Sequence, residues 1–161
     1  MFHFSHEPGI REFGPRGDPP RVWAIDAAHE PSYWFPRDCP RVTFWSERPH
    51  PLLGAARRVH AVEWAWLDRL RAAEVHRYEF DPAPFTVLDA EAGYHEAATT
   101  VRPIAVRPMG DLLAAHAAAG VELRFLSTLW PLADAVVAAA ERDGALRFSL
   151  IRMRNARPRP D

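Results

Sequence analysis

The residues best placed to do chemistry open the chain. His3-Phe4-Ser5 sets an imidazole and a hydroxyl two positions apart, and His6-Glu7 follows directly. Phe2 and Phe4 alternate with His3 and Ser5, the pattern of a strand with one buried face. With the two phenylalanines packed inward, His3 and Ser5 project together from the other face, where polar groups at a strand end can floor a cleft. The His3-x-x-His6-Glu7 spacing also resembles a metal-ligand pattern. Residues three apart on a strand point to opposite faces, however, so no metal is assigned and His6 reads as a hydrogen-bonded surface histidine. A second cluster lies in VWAIDAAHEPSYWFPRDCPRVTFW, where Trp23, Tyr33, Trp34, Phe35 and Trp45 surround His29, Arg37, Asp38, Cys39 and Arg41. Aromatic rings beside guanidinium groups suit a planar ligand, because guanidinium stacks on rings and forks onto phosphate or carboxylate. The plainer alternative is that Asp38 holds Arg37 or Arg41 while the prolines stiffen the loop. Cys39 lies between arginines that favour a thiolate, but it has no identifiable His or Asn partner, and a small buried hydrophobe is the simpler reading. Glu63, Glu79 and Glu96 are the candidate carboxylates. His116 falls on an apolar helix stripe and reads as a core histidine.

The elements that must position these groups alternate short strands with helices. Strands are expected at the amino terminus and over 22–25, 41–45, 58–63, 75–80, 101–107, 121–125 and 146–150. Residues 27–35 are expected to form a short helix, and 64–73 another. Residues 81–100 are weakly patterned. Leu112, Leu113 and His116 share a helical stripe that Gly120 closes. Leu129, Leu132, Ala133, Val136, Val137 and Ala140 follow the amphipathic template. Ser127 or Thr128 is placed to cap that last helix, with Pro131 in its first turn. After Leu150 the apolar phase reverses at Ile151 and Met153, which predicts a bulge or a strand buried on both faces. The organisation expected is one α+β domain over 1–154, a split, mostly antiparallel sheet with flanking helices, and a frayed tail at 155–161.

Composition narrows the chemistry. The chain has 161 residues, and its 20 basic residues are all arginine, against 21 acidic ones, for a net charge of -1. Without lysine there is no Schiff base, no P-loop lysine and no kinase-type phosphate lysine. The single cysteine forbids an intrachain disulfide and a multi-cysteine zinc site. No apolar run reaches the ~20 residues of a membrane span, and no signal-peptide pattern is evident, so a cytoplasmic location without membrane contact is expected. The balanced charge argues against general nucleic-acid binding.

FHFSHEPGI, VWAIDAAHEPSYWFPRDCPR, VEWAWLDRL, GVELRFLSTLWPL and IRMRNA together resemble a family of small bacterial proteins of unknown function, with PRDCPR and VEWAWL the most specific strings. The chain is also similar, more weakly, to ADP-ribosyltransferase-like proteins of the histidine–tyrosine–glutamate type. His3-Phe4-Ser5 resembles their first element, and Trp23-Ala24-Ile25 followed by Tyr33 resembles their second. The resemblance implies that His3 anchors a ribose, that Tyr33 stacks on nicotinamide, and that a later glutamate stabilises the cation-like sugar. No glutamate matches the third element unmistakably, so Glu63 and Glu96 both stand as candidates. The function expected is binding of NAD or a related nucleotide, with ADP-ribose transfer to a protein target where the glutamate is in place. His3, Ser5, Trp23, Tyr33, Arg37 and Arg41 would contact the ligand, and His3, Tyr33, Glu63 and Glu96 would be the catalytic set. Two alternatives stand beside it: an aromatic and arginine-rich surface that docks a partner protein, and an RNA 2′-phosphotransferase, which relies on arginine and histidine.

Overall fold

The computed structural model describes residues 1–159. In chain order its elements are β1 (Phe2–Ser5), β2 (Val22–Ile25), β3 (Arg41–Trp45), β4 (Arg58–Glu63), α1 (Leu67–Ala72), β5 (His76–Glu79), β6 (Thr86–Asp89), β7 (Tyr94–Ala97), β8 (Ala105–Pro108), α2 (Leu112–Ala118), β9 (Glu122–Leu126), α3 (Trp130–Arg142) and β10 (Arg147–Ile151). Single 3-10 turns occupy Glu30–Tyr33, Trp64–Trp66 and Met153–Asn155. The class is α+β, with two mostly antiparallel sheets. The chain divides into two compact units, Met1–Trp34 with Glu74–Gly110 and Phe35–Ala73 with Asp111–Asp161.

The first unit is a six-stranded sheet in the order β6-β7-β2-β1-β5-β8. Cross-strand partners share a face. The register His3↔Tyr78, with Phe2↔Glu79 and Phe4↔Arg77 on either side, therefore puts His3 beside Tyr78 and Phe2 and Phe4 on the reverse face. Tyr78, Val22, Ala24, Phe80, Ala97 and Val101 form the unit's core, closed by Ile10 and Phe13 from the long proline-rich loop. Phe13 packs 4.9 Å from the His3 ring and at right angles to Phe80, and its backbone pairs with Val101. The expected phase of β1 is thus reversed: His3 faces the core layer, while Phe2 and Phe4 lie on the other face with Ile25 and Trp23. The cause is that both faces are covered, one by the Phe13 loop and the other by the chain after β2, so all four β1 residues are half-buried and alternation is uninformative. The helix expected over 27–35 is only the Glu30–Tyr33 turn, because Pro31 falls within it and His29 supplies no side-chain cap. The weakly patterned 81–100 holds the β6–β7 hairpin, and the expected strand at 101–107 contracts to β8.

The second unit is a four-stranded sheet, β10-β3-β4-β9, in which β4 and β9 run parallel. Every residue of β3 is buried. One face of β3 and β4, carrying Val42, Phe44, Val59 and Ala61, packs under Ala133, Val136 and Ala139 of α3 and its N-cap residue Leu129, close to the stripe read from the sequence. Gly120, at φ +68°, follows α2 as expected. Asp111 caps that helix, its Oδ1 accepting from the backbone of Leu113 and Ala114 at 2.8 and 3.1 Å. Neither Ser127 nor Thr128 caps α3: its N-cap position falls on Leu129, with no side-chain cap bond. The phase reversal after Leu150 is neither a bulge nor a doubly buried strand. Arg152 adopts a left-handed conformation at φ 56° and turns the chain into Met153–Asn155. Within the segment expected to fray, Arg157 and Arg159 make hydrogen bonds, whereas 160–161 lie outside the described residues. Among the described residues no helix is long and apolar enough to cross a membrane.

Candidate functional site

In the first unit β1 and β2 share a single paired position, Phe2↔Ile25. Past it the His3 imidazole takes the strand carbonyl instead, with Nδ1 3.3 Å from the Trp23 oxygen. A cavity of about 350 Å³ opens there, lined by Phe2, His3, Phe4, Trp23, Ala24, Ile25, Tyr33 and Tyr94. Three sequence-nominated residues from separate segments, His3, Trp23 and Tyr33, therefore border one space. Its walls are aromatic. Trp23 and Tyr94 meet at 83° with ring centres 6.4 Å apart, and Tyr33 and Tyr94 meet at 73° and 6.3 Å. The Tyr33 hydroxyl donates to the Tyr94 hydroxyl at 2.8 Å.

The turn that carries Tyr33 is held from several sides. Glu30 accepts a fork from Arg77, Nε to Oε2 at 2.6 Å and Nη2 to Oε1 at 3.2 Å, the charge-assisted geometry that fixes orientation as well as distance. The Arg77 guanidinium itself lies 3.6 Å over the Phe2 ring. Just upstream, the Asp26 carboxylate accepts from the backbone N–H of His29 at 2.9 Å and lies 2.8 Å from its Nδ1. Asp26 also donates its backbone N–H to the Gly93 carbonyl at 3.0 Å. Gly93 has φ +73°, and a Cβ there would overlap the His29 ring. The β6–β7 hairpin and the approach to the turn are thus fitted to each other.

Other nominated residues stand elsewhere. Ser5 is absent from the cavity lining; its hydroxyl accepts from the Glu7 backbone at 3.1 Å. His6 Nδ1 lies 2.8 Å from the Glu74 carbonyl, the hydrogen-bonded surface role expected of it. Glu96 is registered opposite Trp23, hence on the same face of the sheet, and its Oε1 lies 3.2 Å from Arg21 Nε. Arg37, Arg41 and Glu63 belong to the second unit. Arg41 is buried there, donating to the Cys39 carbonyl at 2.9 Å with its guanidinium 4.9 Å from the Phe35 ring centre. Glu63 is 1% exposed, and both its carboxylate oxygens accept from the Arg157 backbone N–H at 3.1 Å. Cys39 is fully buried, and that burial pushes its thiol up to about 12 despite the opposing Arg41 charge, so it is no nucleophile at neutral pH. His116 is buried, its Nδ1 2.7 Å from the Leu112 carbonyl.

Sequence reasoning missed Tyr94, the ring that links the other two. The available signal was local: Ala92-Gly93 ahead of Tyr94-His95-Glu96-Ala97 is a glycine-containing hairpin turn before a short strand. No curated protein and no solved structure matches the chain. Residues 2–156 do match the model of a family, so this chain belongs to DUF6886, a family of unknown function.

Proposed function

We propose that this protein binds NAD or a related nucleotide by seating the nicotinamide-type ring and its ribose in the β1–β2 cavity, and that its architecture is of the ADP-ribosyltransferase-like kind. The observation that carries the reading is the meeting of His3, Trp23 and Tyr33 at one aromatic-walled space. At about 350 Å³ the space lies near the small end of ligand sites. It suits one planar ring with its sugar, and the adenylate half would lie outside. Trp23 and Tyr33 offer ring faces to the base, and His3, tied through Nδ1 to the Trp23 carbonyl, sits at the cavity's border where the ribose would lie. For transfer, the bond from C1′ to the ring nitrogen breaks, its electron pair leaves with nicotinamide, and a carboxylate stabilises the cationic sugar until a nucleophile attacks C1′. Glu96 is the carboxylate this reading uses, since it shares a face with Trp23. Glu63 is buried and already accepts a backbone hydrogen bond.

The two alternatives have less support. A 2′-phosphotransferase needs arginine at the phosphate, and Arg77, which lies over the Phe2 ring of the wall, is already forked onto Glu30. A flat docking surface would set Trp23, Trp34 and Trp45 on one patch, but Trp45 is buried in the second unit. Calorimetry of the full chain with NAD, nicotinamide mononucleotide and ADP-ribose tests the reading. NAD and the mononucleotide should bind, and His3→Ala should weaken them by about 1–3 kcal/mol, the scale of one lost polar contact in a buried site. Glu96→Gln should keep binding and abolish nicotinamide release. Silence of all three ligands at millimolar concentration contradicts the proposal.

A further inference from the structure

We infer that the β1–β2 cavity is a cage for a soft organic cation: a nitrogen of permanent charge with no N–H, as in a quaternary ammonium group or an N-alkylated pyridinium ring. The inference goes beyond the nucleotide reading and stands on the cage alone.

The first observation is the ring arrangement. Trp23 and Tyr33 each meet Tyr94 steeply, at 83° and 73°, so the three rings enclose space as walls instead of stacking on one another. Ring faces carry the negative part of the aromatic quadrupole and attract a cation set against them, most strongly when that cation is desolvated. The second is what the walls lack. Among the described residues no carboxylate lines the cavity, the Arg77 guanidinium lying over Phe2 is already forked onto Glu30, and the Tyr33 and Tyr94 hydroxyls are bonded to each other. An ammonium with N–H groups would leave its hydration shell and find few acceptors in return, whereas an alkylated nitrogen has no such bonds to replace. The third is charge. The first unit carries six arginines against eleven carboxylates, a net of -5, whereas the second carries fourteen against ten, a net of +4. On the sheet face that bears Trp23 and Tyr94, Arg77 and Arg107 are set among Glu79 and Glu96, the latter paired with Arg21, with Asp26 and Glu30 on the adjoining segment. Carboxylates outnumber guanidinium groups there, and a cation entering the cavity meets a favourable field. The wall itself already holds a soft cation on a ring, the Arg77 guanidinium over Phe2.

Two isosteric pairs test the cage by calorimetry on the full chain: choline against 3,3-dimethylbutan-1-ol, and 1-methylnicotinamide against nicotinamide. In at least one pair the charged member should bind roughly tenfold or more tightly than its uncharged counterpart, the range of a desolvated cation–π contact. Which pair shows the preference tells a tetrahedral cation from a ring-borne one. Equal affinity within both pairs, or binding by no probe, overturns the inference. Trp23 is 50% exposed, so Trp23→Leu should fold normally and lose the preference, the charged probe binding no more tightly than its uncharged counterpart. Tyr94→Phe keeps the ring and should keep the preference. Full preference in Trp23→Leu would remove the cage. A chain that ignores NAD yet prefers the cations sinks the nucleotide reading and leaves this one, and a chain that binds NAD without preferring charge does the reverse.

Discussion

Two residues decide much of what this molecule can do, one by being shut away and the other by having no side chain. Cys39 sits between arginines in sequence, yet in the fold desolvation outweighs their field and the thiol stays protonated. In the native protein, iodoacetamide at pH 8 should label Cys39 far more slowly than it does in denaturant, when the thiol returns to its ordinary range. Rapid stoichiometric labelling of the folded chain would contradict its burial. Gly93 matters for the opposite reason. It occupies a left-handed conformation hard against His29, so Gly93→Ala adds backbone strain and a collision. The substitution should cost about 1–3 kcal/mol of stability. Because His29 leads into the turn bearing Tyr33, it should also weaken ligand binding. A thermal melt indistinguishable from wild type would show that His29 moves aside at no cost.

The pH response belongs to the elements, because it arises where β4 and α2 pack. His60 is fully buried, with its ring 5.3 Å from His116 and 5.7 Å from Phe35, and neither of its nitrogens has a hydrogen-bond partner among the described residues. Burial, reinforced by His116, Arg58 and Arg41, holds its pKa well below the ordinary histidine value. The folded site refuses a proton that the unfolded chain accepts. This contribution is therefore fully present above about pH 6.5 and is lost as the pH falls, with a slope of up to ~1.4 kcal/mol per pH unit. Denaturant melts between pH 7 and pH 5 should show a steeper loss for wild type than for His60→Leu. Equal slopes would mean that His60 titrates normally. Legibility also divided along elements. The bounds of β2, β3 and β4 follow from the sequence because short apolar runs there follow a proline or glycine break. The α3 stripe follows because a single helix face is buried. β6 did not show, because its four residues are all exposed and carry no contrast between faces. The partners of β1 did not show either, since a strand covered on both sides has no outer face to read. The site was half legible: His3, Trp23 and Tyr33 carry distinctive chemistry in short motifs, whereas Tyr94 joins them only through the β2–β7 pairing.

At the scale of the whole molecule, a near-neutral chain is an average of two opposite units. Each unit is assembled from two separated stretches of sequence, so the running composition never displays the division and the net charge of -1 conceals it. Arg37 and Arg41 lie close to Tyr33 in sequence but belong to the second unit, past the Trp34–Phe35 boundary. What remains as the proposed working part is a small aromatic cavity in the acidic unit, between two strands that pair only once. Amide correlation spectra of the full chain, titrated with NAD, test that claim most directly. The account predicts saturable shifts at Phe2–Phe4, Trp23–Ile25, Tyr33 and Tyr94. Unchanged spectra at millimolar NAD, or shifts confined to the second unit, would contradict it.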